Sequence, residues 1–361
     1  MVVMNPIWSL SVVLLPAYDG AILLDALNPS GDAMNPAITR RLFNLSCLVG
    51  SASLAGAAWA QEARITTLVV PYPAGALSDA IARAVQEPLR GQLQQTLVID
   101  NVSGVSGTVG AQKVLSAPAD GQMLFQGSPN ELILPPLALK SVKLRAEDFR
   151  IVHPIGESPF VLIARAGLPV KTADELIALA RSQPDKPLTY GSTGIGSAYH
   201  LLTEQLANQN GVKFTHVPYR GGAPMVQDLI GGRLDFVITL YNSVIVGMTE
   251  KGQLNPLAVF GNLRHEQMKS MPAASETQVL KGMPSSLWTA YMVPAKTPDA
   301  VVQRLHLALL KVASDMQVRS LLEKLGMRPA QPMSLADSAT FYTAEIARYR
   351  ALAAAIHLQA E

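Results

Sequence analysis

Short runs of apolar, largely β-branched residues alternate along the chain with longer segments in which apolar residues recur every three or four positions. The first pattern is typical of buried strands and the second of amphipathic helices. Regular alternation of the two predicts βαβ units around parallel sheets. The predicted strands are residues 65–70, 96–99, 122–125, 160–164, 188–190, 234–240, 257–260 and 289–293.

Helix start and stop signals stand between these strands. The apolar face of residues 81–89 predicts a helix, which Pro88 is expected to kink or shorten because proline lacks an amide hydrogen. A capping box formed by Thr172 and Glu175 precedes another helix. Pro298 is expected at the first position of a third. Further helices are predicted over residues 315–325 and 334–356.

Residues 34–60 have the order of a cleaved export signal. Arg40 and Arg41 precede the modestly apolar run 42–58, and small residues at positions 58 and 60 predict cleavage before Gln61. Polar residues inside the run make it a poor membrane span. The paired arginines resemble the twin-arginine export motif, but the general secretory route accepts the same residues. We therefore expect an exported protein and leave the route open.

Residues 1–33 do not fit the beginning of such a signal, because they contain three aspartates where a basic start is expected. The simplest interpretation is a non-native upstream extension, with Met34 as the true first residue. The alternative is a membrane-directed leader at residues 8–17, a run that is too short to span a bilayer.

Composition excludes several classes of protein. The chain has 361 residues, with 29 Lys and Arg against 27 Asp and Glu, for a net charge of +2. This balance and the sparse aromatic residues argue against a nucleic-acid binder. The single cysteine, Cys47, lies inside the signal. The mature chain is therefore expected to have neither disulfides nor thiol chemistry.

Three glycine-rich loops each follow a predicted strand and open, or nearly open, a helix. They are residues 70–79, 190–200 and 216–223. Backbone amides at such positions attract anions, because unpaired N–H groups and the helix dipole both favour negative charge. Three anion-attracting loops in one chain indicate a binding site for an acid.

Catalytic and cofactor motifs are missing from the sequence. It contains no Gly-x-Ser-x-Gly elbow, no phosphate-binding Gly-x-x-x-x-Gly-Lys-Ser/Thr loop and no His-Glu-x-x-His zinc motif. The six histidines never fall at metal-ligand spacing. We therefore expect no enzyme, no cofactor and no metal site.

The three loops, in their order and separation, resemble those of the Bug family of periplasmic substrate-binding proteins, which serve tripartite tricarboxylate transporters. The likeness runs from about residue 65 to 329. Further matching segments are residues 101–104, 119–121, 148–149, 228–232, 234–235 and 293–298. One loop alone is weak evidence, whereas the full ordered set is specific.

The resemblance implies a type II periplasmic-binding-protein fold, in which two α/β lobes are joined by two crossing strands and close on a ligand in the cleft between them. We place the crossings near residues 160–164 and 289–293. Lobe one is then residues 62–163 plus 291–361, and lobe two is residues 164–290. The resemblance also implies a monomer.

The family grips a small carboxylate largely through backbone amides, short hydroxyl side chains and water. Neutral donors bind an anion without the desolvation cost of a buried ion pair. The ligand-binding residues implied at the matching positions are Pro73, Ala74, Gly75, Ala76, Ser78, Asp79, Ser128, Ser192, Thr193, Gly196, Ser197, Tyr219, Arg220, Gly221 and Thr239.

Three departures from the family pattern leave the identity of the carboxylate open. Ala76 stands where the first loop usually has glycine, which is expected to restrict the backbone. Thr108 replaces an asparagine, and Thr239 replaces a frequent aspartate. The loss of an acid at position 239 should favour anions locally.

Several residues have an ordinary structural role as an alternative. Ser197 is expected to cap the helix that follows it, a role compatible with ligand contact. His200 and Trp288 are expected to pack. Arg220 either pairs with a carboxylate or stays solvated. Asp79 either orients the ligand or complements the positive end of its helix.

The resulting hypothesis is an exported protein that captures a small organic carboxylate, closes by hinge motion and delivers the ligand to a membrane permease. One alternative is a sensor subunit whose closed form docks on a signalling receptor. The other is an exported hydrolase or isomerase on the same scaffold, which predicts turnover with a pH–rate profile.

Overall fold

The computed structural model describes residues 65–261, 271–355 and 360. The predicted upstream extension and export signal lie outside these residues. Ala63–Glu361 forms one compact unit.

The described chain forms ten strands joined in one continuous sheet, in the order β2-β1-β3-β9-β4-β7-β5-β6, with β10 and β8 also paired to β4. The strands are β1 (Ile65–Val70), β2 (Thr96–Asn101), β3 (Met123–Gly127), β4 (Phe149–Arg165), β5 (Leu188–Ser192), β6 (Phe214–Pro218), β7 (Phe236–Leu240), β8 (Leu254–Val259), β9 (Ser286–Pro294) and β10 (Arg328–Pro329).

Eleven α-helices occur in the same residues. They are α1 (Leu77–Leu93), α2 (Thr108–Ser116), α3 (Pro129–Leu132), α4 (Pro135–Ala138), α5 (Ala173–Ser182), α6 (Ala198–Asn210), α7 (Gly222–Ile230), α8 (Ser243–Glu250), α9 (Asp299–Ser314), α10 (Met316–Lys324) and α11 (Leu335–Ala355).

The long strand β4 divides the sheet into two parts. Residues from Phe149 to Pro159 pair antiparallel with β9, and residues from Phe160 onward pair antiparallel with β7 and β8. Strands β1, β2 and β3 run parallel on the first side, and β5, β6 and β7 run parallel on the second. We call the elements of the first side lobe one and those of the second lobe two. The residue boundaries predicted for the lobes stay a prediction.

Helices cover both faces of the lobe-one sheet. Leu68 and Val70 of β1 pack with α1 and α9, whereas Val69, between them, packs on the opposite side with α2. Successive side chains of a strand point to opposite faces, so an apolar run is buried on both. The apolar pattern therefore predicts this arrangement correctly.

Most predicted elements are confirmed, and the exceptions have local causes. The helix α1 runs through Pro88 to Leu93, so the predicted shortening is wrong; Leu89 and Leu93 are buried in the core and hold its last turn. Pro298 is the N-cap of α9 rather than its first residue. The pattern missed β6, whose residues are only partly buried, and the first half of β4.

Candidate functional site

A cavity of about 260 Å³ opens between the lobes, and we call it the cleft cavity. Lobe one lines it with Gly75, Ala76, Ser78, Gln126, Ser128 and Glu131. Lobe two lines it with Thr193, Gly222, Ala223, Thr239, Asn242 and Ser243. Apolar side chains on both walls, including Ile81, Leu240 and Val244, complete it.

Besides the four-residue α3, whose N-cap Ser128 lines the cleft cavity, the longer helices α1, α7 and α8 begin there. No side chain caps α1, whose N-cap is Ala76, or α7, whose N-cap is Gly221; α8 is capped by Asn242, which accepts from the amide of Ile245 at 3.0 Å. The first amides of a helix have no partner within the helix, and they carry its positive dipole end. None of the described residues that line the cavity is Lys or Arg. The donors that these walls offer to an anion are therefore neutral.

The first glycine-rich loop is held by Asp79. Its Oδ2 accepts from the Gly75 amide at 2.9 Å and pairs with Arg83 Nε at 2.9 Å. Burial acts to raise the pKa of Asp79, but the hydrogen bonds from Arg83 and Gly75 outweigh burial and lower the pKa below its usual value. Asp79 does not line the cleft cavity, and its observed contacts shape the loop.

The backbone restriction expected at Ala76 does not occur. Ala76 has φ −73° and ψ 165°, an extended conformation that any residue adopts. The positive φ of this loop is at Gly75, where φ is +81°. The substitution therefore leaves the loop geometry and the start of α1 in place.

Glu131 is an acidic residue of the cleft cavity that sequence analysis missed. It is buried, its Oε1 accepts from the Tyr72 hydroxyl at 2.6 Å, and its Oε2 accepts from the Ser128 amide at 2.7 Å. Burial raises the pKa of Glu131 to about 7 in spite of these hydrogen bonds. The signal was present, since Ser128 and Glu131 form a capping box around α3.

Most polar groups of the second glycine-rich loop are hydrogen-bonded within the protein. The Ser192 hydroxyl accepts from the Gly194 amide at 3.1 Å and lies 2.7 Å from His216 Nε2. Ser197 caps α6 as predicted, accepting from the His200 amide at 3.4 Å. The next amide, of Ala198, donates to Asn130 Oδ1 at 2.6 Å, which links the lobes. The amides of Ala198 and His200 at the start of α6 therefore already donate to protein groups.

His200 packs, as expected, and it stacks on His216 with ring centroids 4.3 Å apart. Burial lowers the pKa of His200 to about 4, so the ring is neutral near pH 7. Trp288 also packs: its ring meets Phe341 and Tyr342 edge-on, and its Nε1 donates to Glu345 at 2.8 Å.

The third glycine-rich loop faces a second cavity of about 310 Å³, which shares Pro71, Tyr72 and Thr193 with the cleft cavity. Tyr219 and the exposed Arg220 line it. Burial, together with a hydrogen bond to Asp228 at 2.8 Å, raises the pKa of Tyr219 to about 12.

The structure thus divides the predicted site residues into three groups, and ligand contact stays a prediction for all of them. Those lining the cleft cavity are Gly75, Ala76, Ser78, Ser128, Thr193 and Thr239. Those lining the second cavity are Thr193, Tyr219 and Arg220. Those lining neither are Pro73, Ala74, Asp79, Ser192, Gly196, Ser197 and Gly221. Within the described ranges, no group of three or more His, Cys, Asp or Glu side chains is arranged to hold a metal ion.

Comparison with protein families matches residues 81–358 to the tripartite tricarboxylate transporter family receptor. A protein from the tcbD-tcbE intergenic region of Pseudomonas sp. strain P51 is 32% identical over 300 residues, covering 82% of this chain and 88% of the relative.

Three solved structures are similar. The periplasmic binding protein BugD, at 24% identity, superposes with a TM-score of 0.76 over 82% of this chain and 99% of its own. A protein of Rhodopseudomonas palustris with adipate, at 32% identity, has a TM-score of 0.76 and coverages of 84% and 100%. The protein MatC of the same organism, with bound malate, is 26% identical, with a TM-score of 0.74 and coverages of 81% and 99%. The predicted two-lobed α/β fold and the Bug resemblance are confirmed.

Proposed function

Because the chain belongs to the tripartite tricarboxylate transporter receptor family, we propose that it captures a small organic carboxylate in the cleft cavity and delivers it to the membrane subunits of such a transporter. The family and its solved relatives are substrate-binding proteins. The proposal includes the binding of a carboxylate, its contacts with residues of the cleft and its transfer to a permease.

The observation that carries the proposal is the convergence of uncapped helix starts on a cavity without lysine or arginine. Such donors stabilise a carboxylate by hydrogen bonds and by the helix dipole. They also release it readily, because no buried ion pair must be broken and resolvated. Reversible capture is what delivery to a transporter requires.

The relatives support the chemical class of the ligand. One solved relative holds adipate and another holds malate, both small dicarboxylates. The cleft cavity, at about 260 Å³, is close to the size range of small-molecule sites. The mixture of hydroxyl, amide and apolar side chains along its walls suits a short acid with a carbon chain.

We further propose that the protein works in the periplasm after export and is not an enzyme. Membership of a periplasmic receptor family supports the location. Over residues 65–261 and 271–355, no helix is long and apolar enough to cross a membrane. The missing catalytic motifs and the binding-protein relatives support the second point.

A thermal-shift screen of the purified protein tests the proposal. A ligand that binds only the folded state raises the melting temperature, by an amount that grows with its concentration relative to Kd. We expect at least one acid among dicarboxylates, tricarboxylates, acidic amino acids and aromatic acids to raise it by several degrees. The matched control is the diamide of the same acid, which has the same length without the charge and is expected to have no effect. A panel in which no acid raises the melting temperature contradicts the proposal.

A further inference from the structure

Glu131 is the one acidic side chain among the described residues that line the cleft cavity, and none of these residues is Lys, Arg or His. It lies on the lobe-one wall and is 1% exposed. Its stem packs against the backbone at the N-cap of α2, since a Cβ at Gly107 would collide with the Glu131 Cγ. The carboxyl group is therefore held beside the space in which we propose that an anion binds.

The hydrogen-bond partners of Glu131 suit both the charged and the neutral form of its carboxyl group. The Ser128 amide donates to Oε2 at 2.7 Å in either form. The Tyr72 hydroxyl lies 2.6 Å from Oε1 and can donate to a carboxylate or accept from a carboxylic acid, because a hydroxyl does both. A lysine or arginine in its place would only donate. A proton can therefore join Oε1 without the loss of either contact.

An anion in the cleft cavity raises the proton affinity of this carboxyl group. Glu131 lines the same cavity of about 260 Å³ that the anion enters, so the two negative charges share one small space. Like charges at close range disfavour the ionised form of an acid, and buried charges are poorly screened by salt. Burial already raises the pKa of Glu131 to about 7, so a further rise changes its protonation near neutral pH. Uptake of a proton relieves the repulsion.

The other titratable groups near Glu131 do not exchange a proton near pH 7. The Tyr72 hydroxyl faces it from the loop after β1, and the Tyr199 hydroxyl faces it from α6 of lobe two. Burial and the charge of Glu131 raise the pKa of both tyrosines, so both stay protonated. His200, the next residue of α6, lines neither cavity, and burial lowers its pKa to about 4, so it stays neutral. Glu131 is therefore the group of the cavity wall that can take up a proton.

We propose that the cleft captures its carboxylate together with a proton, which comes from the solvent and is held on Glu131 Oε1 while the anion is bound. The inference rests on the proposed function and adds a regulation of the same site. The proton and the anion strengthen each other's binding by the same factor, because linkage is reciprocal. Capture is therefore tighter in mildly acidic surroundings, and release of the carboxylate returns the proton to the solvent.

Titration calorimetry at pH 7, in buffers that differ in their heat of ionisation, counts the protons taken up with each bound acid. The probes are adipate, malate, citrate, glutamate and benzoate, and any other acid of the thermal-shift panel that binds is titrated in the same way. A group that is half protonated in the free protein becomes mostly protonated when its proton affinity rises tenfold or more. We therefore expect uptake of about 0.4–0.5 proton per acid bound. By the same linkage, Kd should rise at least fivefold from about pH 6 to about pH 8.5.

The variant Glu131→Gln mimics the protonated acid and cannot titrate. Relative to the unaltered protein, it should lose the proton uptake, keep a constant Kd across this pH range and bind more tightly at pH 8.5. Protons bound or released by the acid itself are the same with both proteins. Glu204→Gln is the matched control, because Glu204 Oε1 also accepts from a tyrosine hydroxyl, that of Tyr190 at 2.6 Å, but Glu204 lines neither cavity. The control should keep the uptake.

The outcomes separate the two proposals. If an acid binds without proton uptake, or if the uptake persists in Glu131→Gln, the inference is wrong and the carboxylate function stands. If neither the probes nor any acid of the thermal-shift panel binds, the proposed function fails and the inference fails with it.

The variant Tyr72→Phe decides the inference if Glu131→Gln does not fold. The hydrogen bond from Tyr72 lowers the pKa of Glu131, so its loss should raise that pKa further. We expect the rise of Kd with pH to move to higher pH in Tyr72→Phe. A rise that stays at the same pH overturns the inference, because the proton is then held by a group that Tyr72 does not contact.

Discussion

Burial gives two side chains beside the cleft unusual protonation equilibria. Desolvation raises the pKa of Glu131 to about 7, whereas desolvation lowers the pKa of His200 to about 4. Near neutral pH the histidine is therefore uncharged and the acid is partly protonated. A partly protonated Glu131 opposes a bound anion less than a fully charged one does.

The raised pKa of Glu131 predicts a pH dependence of stability. Between its ordinary pKa of 4.5 and about 7 the folded state binds more of this proton than the unfolded state, so the free energy of unfolding falls as pH rises through that window. Because a tenfold difference in proton affinity is worth about 1.4 kcal/mol, the loss of stability is roughly 2–3 kcal/mol. Urea denaturation at pH 5, 6, 7 and 8 measures it as the difference from a variant that lacks this carboxyl, because the lowered pKa of His200 adds stability over an overlapping pH range.

The variant Glu131→Gln is expected to remove this loss, since glutamine does not titrate. Its free energy of unfolding, relative to that of the unaltered protein, should therefore rise between pH 5 and pH 7.5. His200 contributes with the opposite sign over an overlapping pH range in both proteins, and this contribution cancels from the difference. Two curves that stay parallel across this range contradict the assignment of the raised pKa to Glu131.

Individual site residues were predictable only where the backbone decides the contact. Gly75, Ala76 and Ser78 line the cleft cavity because the first loop opens α1, which the strand–glycine–helix pattern indicates. Side-chain partners across the fold were not predictable. Asn130 fills the start of α6 from 68 positions away in sequence, and no local pattern indicates such a contact.

At the scale of elements, the positions of the strands and of the helix starts determine where the site lies. Tertiary packing overrides the local signal in α1. Burial of Leu89 and Leu93 stabilises the helical residues that follow Pro88. The sequence pattern did not predict strand β6, because its residues are partly exposed and its apolar pattern is weak. The uncapped starts of α1 and α7 follow from glycine-rich loops, so the sequence predicts their anion-attracting character.

The start of α7 offers a test of the role of the helix ends. Ala223 lies in its first turn, is exposed and lines the cleft cavity. An acid there complements the helix dipole, so Ala223→Glu should not lower stability. It places a negative charge where we propose a carboxylate binds, and we expect Kd for the ligand to rise at least tenfold. Titration calorimetry measures the change.

Ala223→Gln is the control for this variant, because glutamine has nearly the same size and no charge. We expect its Kd to stay within about threefold of the unaltered value. Equal loss of affinity in both variants indicates steric obstruction and contradicts an electrostatic role for the α7 start.

At the scale of the whole molecule, β4 joins the lobes, and two polar contacts bridge them across the cleft. Ser106 Oγ donates to the Ile195 carbonyl at 3.0 Å, and Asn130 accepts from Ala198. Alternating strands and helices predict the α/β class, but the division into lobes came from the resemblance to a family. Periodicity does not report which strand passes from one side of the sheet to the other.

The crystal structure of the protein with the acid that most raises its melting temperature tests the central claim most directly. The account predicts that the carboxylate lies in the cleft cavity, within hydrogen-bond distance of amides at the start of α1 or α7. A carboxylate bound outside the cleft cavity, or bound there through a lysine or arginine side chain, contradicts the account.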